Sequence, residues 1–184
     1  MRDDDFATIG DQIERDSFFR RMLCELSGVL QDVVGEDETR GFVAVVGARI
    51  GDAFNQIYRN AKGDRRLTRP EAADAMVDLK ARIGGGFSIE SQSDEEIVLV
   101  NSQCPFGSAV EGRPALCMMT SNVFGRITAE NLGYARVDVE EAFAMGHNRC
   151  RVRIALSQKN RDAAGGPGRE YYRSNAGGRD GGAR

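Results

Sequence analysis

Cys104, Cys117 and Cys150 are the residues of this chain whose types and spacing best fit chemistry. Cys104 opens Cys-Pro-Phe-Gly, Cys117 follows after twelve intervening residues, and Cys150 ends Gly-His-Asn-Arg-Cys. Thiolates take zinc or iron–sulfur clusters when a fold gathers them around one point. Each of the three stands at the edge of an expected regular element, where side chains can converge. Three thiolates leave one tetrahedral position for another group. His147, the single histidine, lies three residues before Cys150 and is the local candidate for that position. Glu140 is the acidic candidate beside Glu141, with Glu111 and Glu130 more remote. The plainer readings are an exposed turn for His147 and, for the cysteines, small buried hydrophobes or redox-active thiols. Cys117 also stands at the expected start of a helix, where N–H groups favour a thiolate, so it is the candidate nucleophile of a thiol-dependent enzyme.

Other chemistry finds less support. No Gly-x-Ser-x-Gly elbow accompanies the lone histidine. The Gly84-Gly-Gly86 run leaves a helix and precedes no Lys-Ser or Lys-Thr, so it reads as a turn. Thr120-Ser121-Asn122 reads as helix capping, and Met118 and Met119 as core or the lining of an effector pocket. The 184 residues carry 25 Lys and Arg against 28 Asp and Glu, a net charge of −3 that argues against direct nucleic-acid binding. No apolar run reaches membrane-spanning length, and Met-Arg-Asp-Asp-Asp is too acidic for a secretory signal. The expected compartment is the cytoplasm, where thiols stay reduced.

The elements that must position these thiols follow from periodicity. Ser17 is expected to cap a helix to about Val34, with Phe19, Leu23, Leu26, Leu30 and Val33 as its buried stripe. Cys24 lies opposite that stripe, away from the other three cysteines. A second helix, about Thr39 to Asn60, is expected to bury Phe42, Val46, Ile50, Phe54 and Ile57. Gly47 and Gly51 within it point to close approach of another helix or a ligand. Thr68-Arg-Pro-Glu71 has the form of a capping box for a third helix bearing Ala72, Met76, Leu79 and Ile83. Phe87 to Glu90 and Glu96 to Val100 read as a hairpin, Met118 to Leu132 as a helix, and Tyr134 to Asp138 and Cys150 to Leu156 as strands. In the last strand Cys150, Val152, Ile154 and Leu156 share one face, and Arg151 and Arg153 the other.

Resemblance enters through longer stretches. Cys104-Pro-Phe-Gly107, Arg113-Pro-Ala-Leu-Cys117-Met-Met-Thr-Ser-Asn-Val-Phe-Gly125 and Glu130-Asn-Leu-Gly-Tyr134 resemble the methanogen output domain 1 family, with Val46 to Gly51 and Asp78 to Gly85 upstream. Cys104 to Cys117 is also similar to the cysteine pattern of iron–sulfur transcriptional repressors. Gly146-His-Asn-Arg-Cys150 is similar to the close of 4-vinyl-reductase-type sensor domains. That last resemblance implies a further cysteine eight positions before Cys150, where this chain has Ala142. Together these imply a signalling or output domain.

The expected fold is α+β: N-terminal helices, then a small, mainly antiparallel sheet with a crossing helix. Residues 1–16 are expected to be a flexible segment, 17–156 the domain, and 157–184 a disordered tail rich in Gly and Arg. The expected function is a cytoplasmic regulatory sensor. Cys104, Cys117 and Cys150 would hold zinc or an iron–sulfur cluster, with His147 or Glu140 completing the site. The expected partners are a small-molecule effector, a second copy through the Phe19–Val33 stripe, and an unidentified signalling protein. A metal-free interaction module and a thiol-dependent enzyme are the competing classes.

Overall fold

The computed structural model describes residues 14–159 and 168–174. Expectations for residues 1–13, 160–167 and 175–184 lie outside the described residues. The element order is α1 (Arg15–Val34), α2 (Glu36–Ala61), α3 (Arg69–Arg82), β1 (Phe87–Gln92), β2 (Glu96–Asn101), α4 (Pro114–Leu132), β3 (Tyr134–Glu141), β4 (Cys150–Ala155) and β5 (Arg169–Tyr172). Short 3-10 turns precede α4 and β4. The sheet runs β1-β2-β4-β3-β5, with every pairing antiparallel. The α+β expectation holds.

Period-two alternation puts Ile97, Leu99, Val137, Val152 and Ile154 on one sheet face. Met76 and Leu79 of α3 and Val123, Phe124 and Ile127 of α4 cover it, and these residues form the main core. The other face carries charge. Arg153 donates to Glu96 at 2.6 Å, and Arg151 bridges Glu90 and Glu140. The face assignment for β4 is as expected. So is the capping box of α3, in which Thr68 and Glu71 satisfy each other's backbone N–H groups.

The outer helices depart from expectation. α2 buries Thr39, Val43, Gly47, Gly51 and Asn55, an every-fourth-residue seam of mostly small side chains against α4. A Cβ on Gly47 would stand 2.8 Å from Asn122 Cβ, and one on Gly51 2.9 Å from Arg126 Cβ. The glycines therefore serve close helix approach, as their spacing predicts. The expected buried face of α2 is half wrong: Phe42, Val46 and Ile57 are exposed, while Ile50 and Phe54 are half-buried. A close backbone crossing admits only small residues, so the large ones face outward.

α1 is reversed outright. Phe19, Leu23, Leu26 and Val33 of its stripe are exposed, and Cys24 and Ser27 are buried. The helix also starts earlier than expected, with Glu14 at the N-cap and Ser17 at N3 returning its hydroxyl to the Glu14 backbone. The expected disordered tail needs one correction too. Arg169–Tyr172 pairs with β3, Tyr171 is buried, and its hydroxyl meets that of Ser121 at 3.0 Å. One aromatic side chain seated against Gly125 holds this strand in an otherwise polar stretch.

Candidate functional site

Three separate segments bring Cys104, Cys117 and Cys150 to the wall of one small, apolar cavity of about 30 Å³. Cys104 is set by Asn101, the buried last residue of β2. The Asn101 Oδ1 accepts from the backbone N–H groups of Gly86 at 3.0 Å and Gln103 at 2.8 Å, which turns the chain toward the cavity. Gly107 N–H then donates to the Cys104 carbonyl at 3.0 Å and closes the turn. Cys117 lies in the first turn of α4, which starts at Pro114, four residues before the expected start at Met118. Cys150 begins β4 opposite Asn101. The backbone N–H of Ala144 faces the Cys117 sulfur, and that of Phe143 faces Cys150.

Lys80, in the last turn of α3, shares the cavity wall with these thiols and is only 6% exposed. Its Nζ donates to Thr120 Oγ1 at 2.8 Å and stands 5.7 Å from the Phe87 ring centre and 5.4 Å from that of Phe124. No carboxylate among the described residues pairs with it. Burial pulls the ammonium down to about 8, partly opposed by Cys104, Cys117 and Cys150. Sequence reading missed Lys80. It sits on a helix that looks ordinarily amphipathic, and its one available signal was its place one residue after Leu79, itself in the core.

Burial also raises the thiols. Desolvation, with Cys150 and Cys104 as neighbours, pushes Cys117 up to about 12, and desolvation raises Cys150. The helix-end effect expected to favour a Cys117 thiolate is overridden. At pH 7 a thiol of that kind is ionised to about one part in 10⁵, which disfavours the nucleophile reading.

The proposed fourth ligands lie elsewhere. Glu140 is exposed and held by Arg151 on the charged face of the sheet. His147 is exposed on the turn before β4, with Nδ1 3.3 Å from the Ala142 backbone. Neither lines the cavity, whereas Ala142, 1% exposed, does. Among the described residues, no group of three or more His, Cys, Asp or Glu side chains stands arranged to hold a metal ion. The donor chemistry fits a soft metal, but closing a ligand set requires the thiols to turn inward.

Two further features frame the site. Cys24, expected to be remote, packs with Val110, Leu116 and Ala144 in the cluster that also takes in Cys104 and Cys117. On the other side, Cys117 and Val139 also line an open groove of about 760 Å³ between the start of α4 and the β3–β5 edge. Met118, Met145 and Val137 give that groove an apolar floor, and Arg40 and Arg169 lie at its wall. No helix among the described residues is long and apolar enough to cross a membrane.

No curated protein matches the chain. Among solved structures it is similar to the crystal structure of a trafficking protein particle complex subunit 3 from Naegleria fowleri, covalently bound to palmitic acid. That match has a TM-score of 0.53 at 13% identity and covers 77% of this chain and 96% of that one. At such identity it speaks for the fold alone. The family comparison is direct: the methanogen output domain 1 model matches residues 22–155, and the chain belongs to that family.

Proposed function

We propose that this protein is a cytoplasmic regulatory output domain whose state is set at the Cys104–Cys117–Cys150 cavity, with a single zinc ion as the preferred occupant. The observation that carries this reading is the convergence of three thiols and one buried ammonium on a cavity of about 30 Å³. Such a space suits one ion or one water, not an inorganic cluster. Charge supports the same choice. Three thiolates and Zn²⁺ sum to −1, and Lys80 brings the buried group to neutrality, which limits its desolvation cost. The Phe143 and Ala144 N–H groups aimed at two sulfurs would stabilise thiolates further. Bound zinc would act structurally, locking the Cys104 loop, the start of α4 and β4 to one another.

The fourth position is then open to water or to an incoming group from the groove that Cys117 borders, where a small organic effector fits. An effector there, or loss of the metal, would shift α4 and α1 and so the contacts offered to a signalling partner.

Elemental analysis of protein purified without oxygen tests the reading. About one equivalent of zinc, lost in the Cys117→Ser and Cys150→Ser variants, is expected. Iron with sulfide and visible absorption would replace zinc by a cluster. No metal at all would leave a metal-free interaction module. Ala142→Cys adds a thiol at the cavity wall, and zinc affinity measured by chelator competition is expected to rise by at least about tenfold. An unchanged affinity would place the metal elsewhere.

A further inference from the structure

The outward faces of α1 and α2 are too apolar for a helix pair facing water. Phe18 (58%), Phe19 (50%), Leu26 (59%), Val29 (59%) and Val33 (75%) of α1 are exposed, with Met22 and Leu23 beside them. Phe42, Val45 and Val46 of α2 add to this surface. At about 150–200 Å² for a large apolar side chain, roughly half exposed, these ten supply on the order of 800 Å². A stable interface takes about 800 Å² from each partner. Only a covering surface explains a stripe with helical period that points away from its own core.

The occupant is argued from the stripe itself. Phe19, Met22, Leu26, Val29 and Val33 follow the alternating three- and four-residue spacing of a two-helix seam. The stripe is symmetric about Leu26: Leu23 and Val29, Met22 and Leu30, Phe19 and Val33, and Phe18 and Val34 lie at equal distances on either side.

We infer that α1 is the seam of a homodimer, two copies meeting along the Phe19–Val33 stripe with the α2 residues at its margin. The interface is isologous, as two-fold symmetry requires. It uses the outer face of α1, while Cys24 and Ser27 on the inner face remain packed on the protomer.

Sedimentation and light scattering on the full-length protein test this. Two chains per particle are expected across micromolar concentrations, and a monomer throughout that range overturns the inference. Leu26→Glu places a carboxylate in the middle of the apolar seam of each copy and is expected to weaken association at least about 100-fold. Leu26 is exposed in the protomer, so helical circular dichroism should be unchanged. A dimer that survives Leu26→Glu overturns the seam.

Discussion

The two ends of α4 are built on opposite principles. From Val123 to Ala129 the helix lies between a dry apolar core and the glycine seam of α2. Phe124 and Ile127 are fully buried, and Phe124 meets Phe87 edge-on at 5.4 Å. From Cys117 to Thr120 the same helix borders thiols, a buried ammonium and two cavities. The first end maximises packing. The second retains a charged group that packing alone would have excluded, and a domain needing only stability has no use for it. The contrast is what favours the start of α4 as the proposed site.

The largest effect expected from disturbing this contrast is at the packed end. Phe124→Ala should cost about 3–5 kcal/mol in urea unfolding, through lost burial and the cavity left behind. A cost below 1 kcal/mol would mean that the core at this end is not close-packed.

The Lys80→Met variant should act in the opposite direction. Lys80 falls from 10.5 to about 8 on folding. The unfolded chain therefore binds more protons between those values, and wild-type stability rises with pH across that window. Below pH 8 the buried ammonium costs about 3 kcal/mol, less what its Thr120 hydrogen bond returns. In chelator-treated, metal-free protein, Lys80→Met is expected to be more stable by about 2–3 kcal/mol at pH 7, with the advantage shrinking as pH rises above 8. Cys117 and Cys150 pull the other way, because their protons stay on in the folded state above pH 9. Lys80 lowers both thiols, so the two proteins are compared below pH 9, where the thiols keep their protons in the folded state. A pH-independent difference would show that Lys80 carries no buried charge. Smaller again is Gly51→Ala, whose Cβ would meet Arg126 Cβ at 2.9 Å and Val123 Cα at 3.1 Å. Crowding outweighs the gain in helix propensity, and a net loss of about 1–2 kcal/mol in thermal unfolding is expected. No loss would mean that α2 and α4 yield easily.

The element order was largely legible because its signals are local. Period-two alternation marked β4, the capping box marked α3, and Gly47 and Gly51 marked a close crossing. The direction in which α1 faces was not legible. Periodicity says that Phe19 to Val33 form a stripe, not what the stripe meets. Once the glycine seam fixed α2 on α4, α1 could present only its Cys24 side to the body of the protein. β5 was missed because Tyr171 is one buried aromatic among polar neighbours, paired with a strand far earlier in the chain. The site was half legible. The three cysteines were found from spacing, whereas Asn101 and Lys80 act through contacts with residues distant in sequence. His147 looked like a ligand only because it is near Cys150 in the chain.

Cys24 gives α1 a stake in both surfaces it separates, since it packs in the apolar cluster that takes in Cys104 and Cys117 while the residues flanking it face outward. A thermodynamic cycle joins the two events wherever one helix takes part in both. If filling the cavity tightens association by some factor, association must tighten retention of the occupant by the same factor. Dilution would then release the ion, and chelation would part the chains, with neither process touching the other's residues directly.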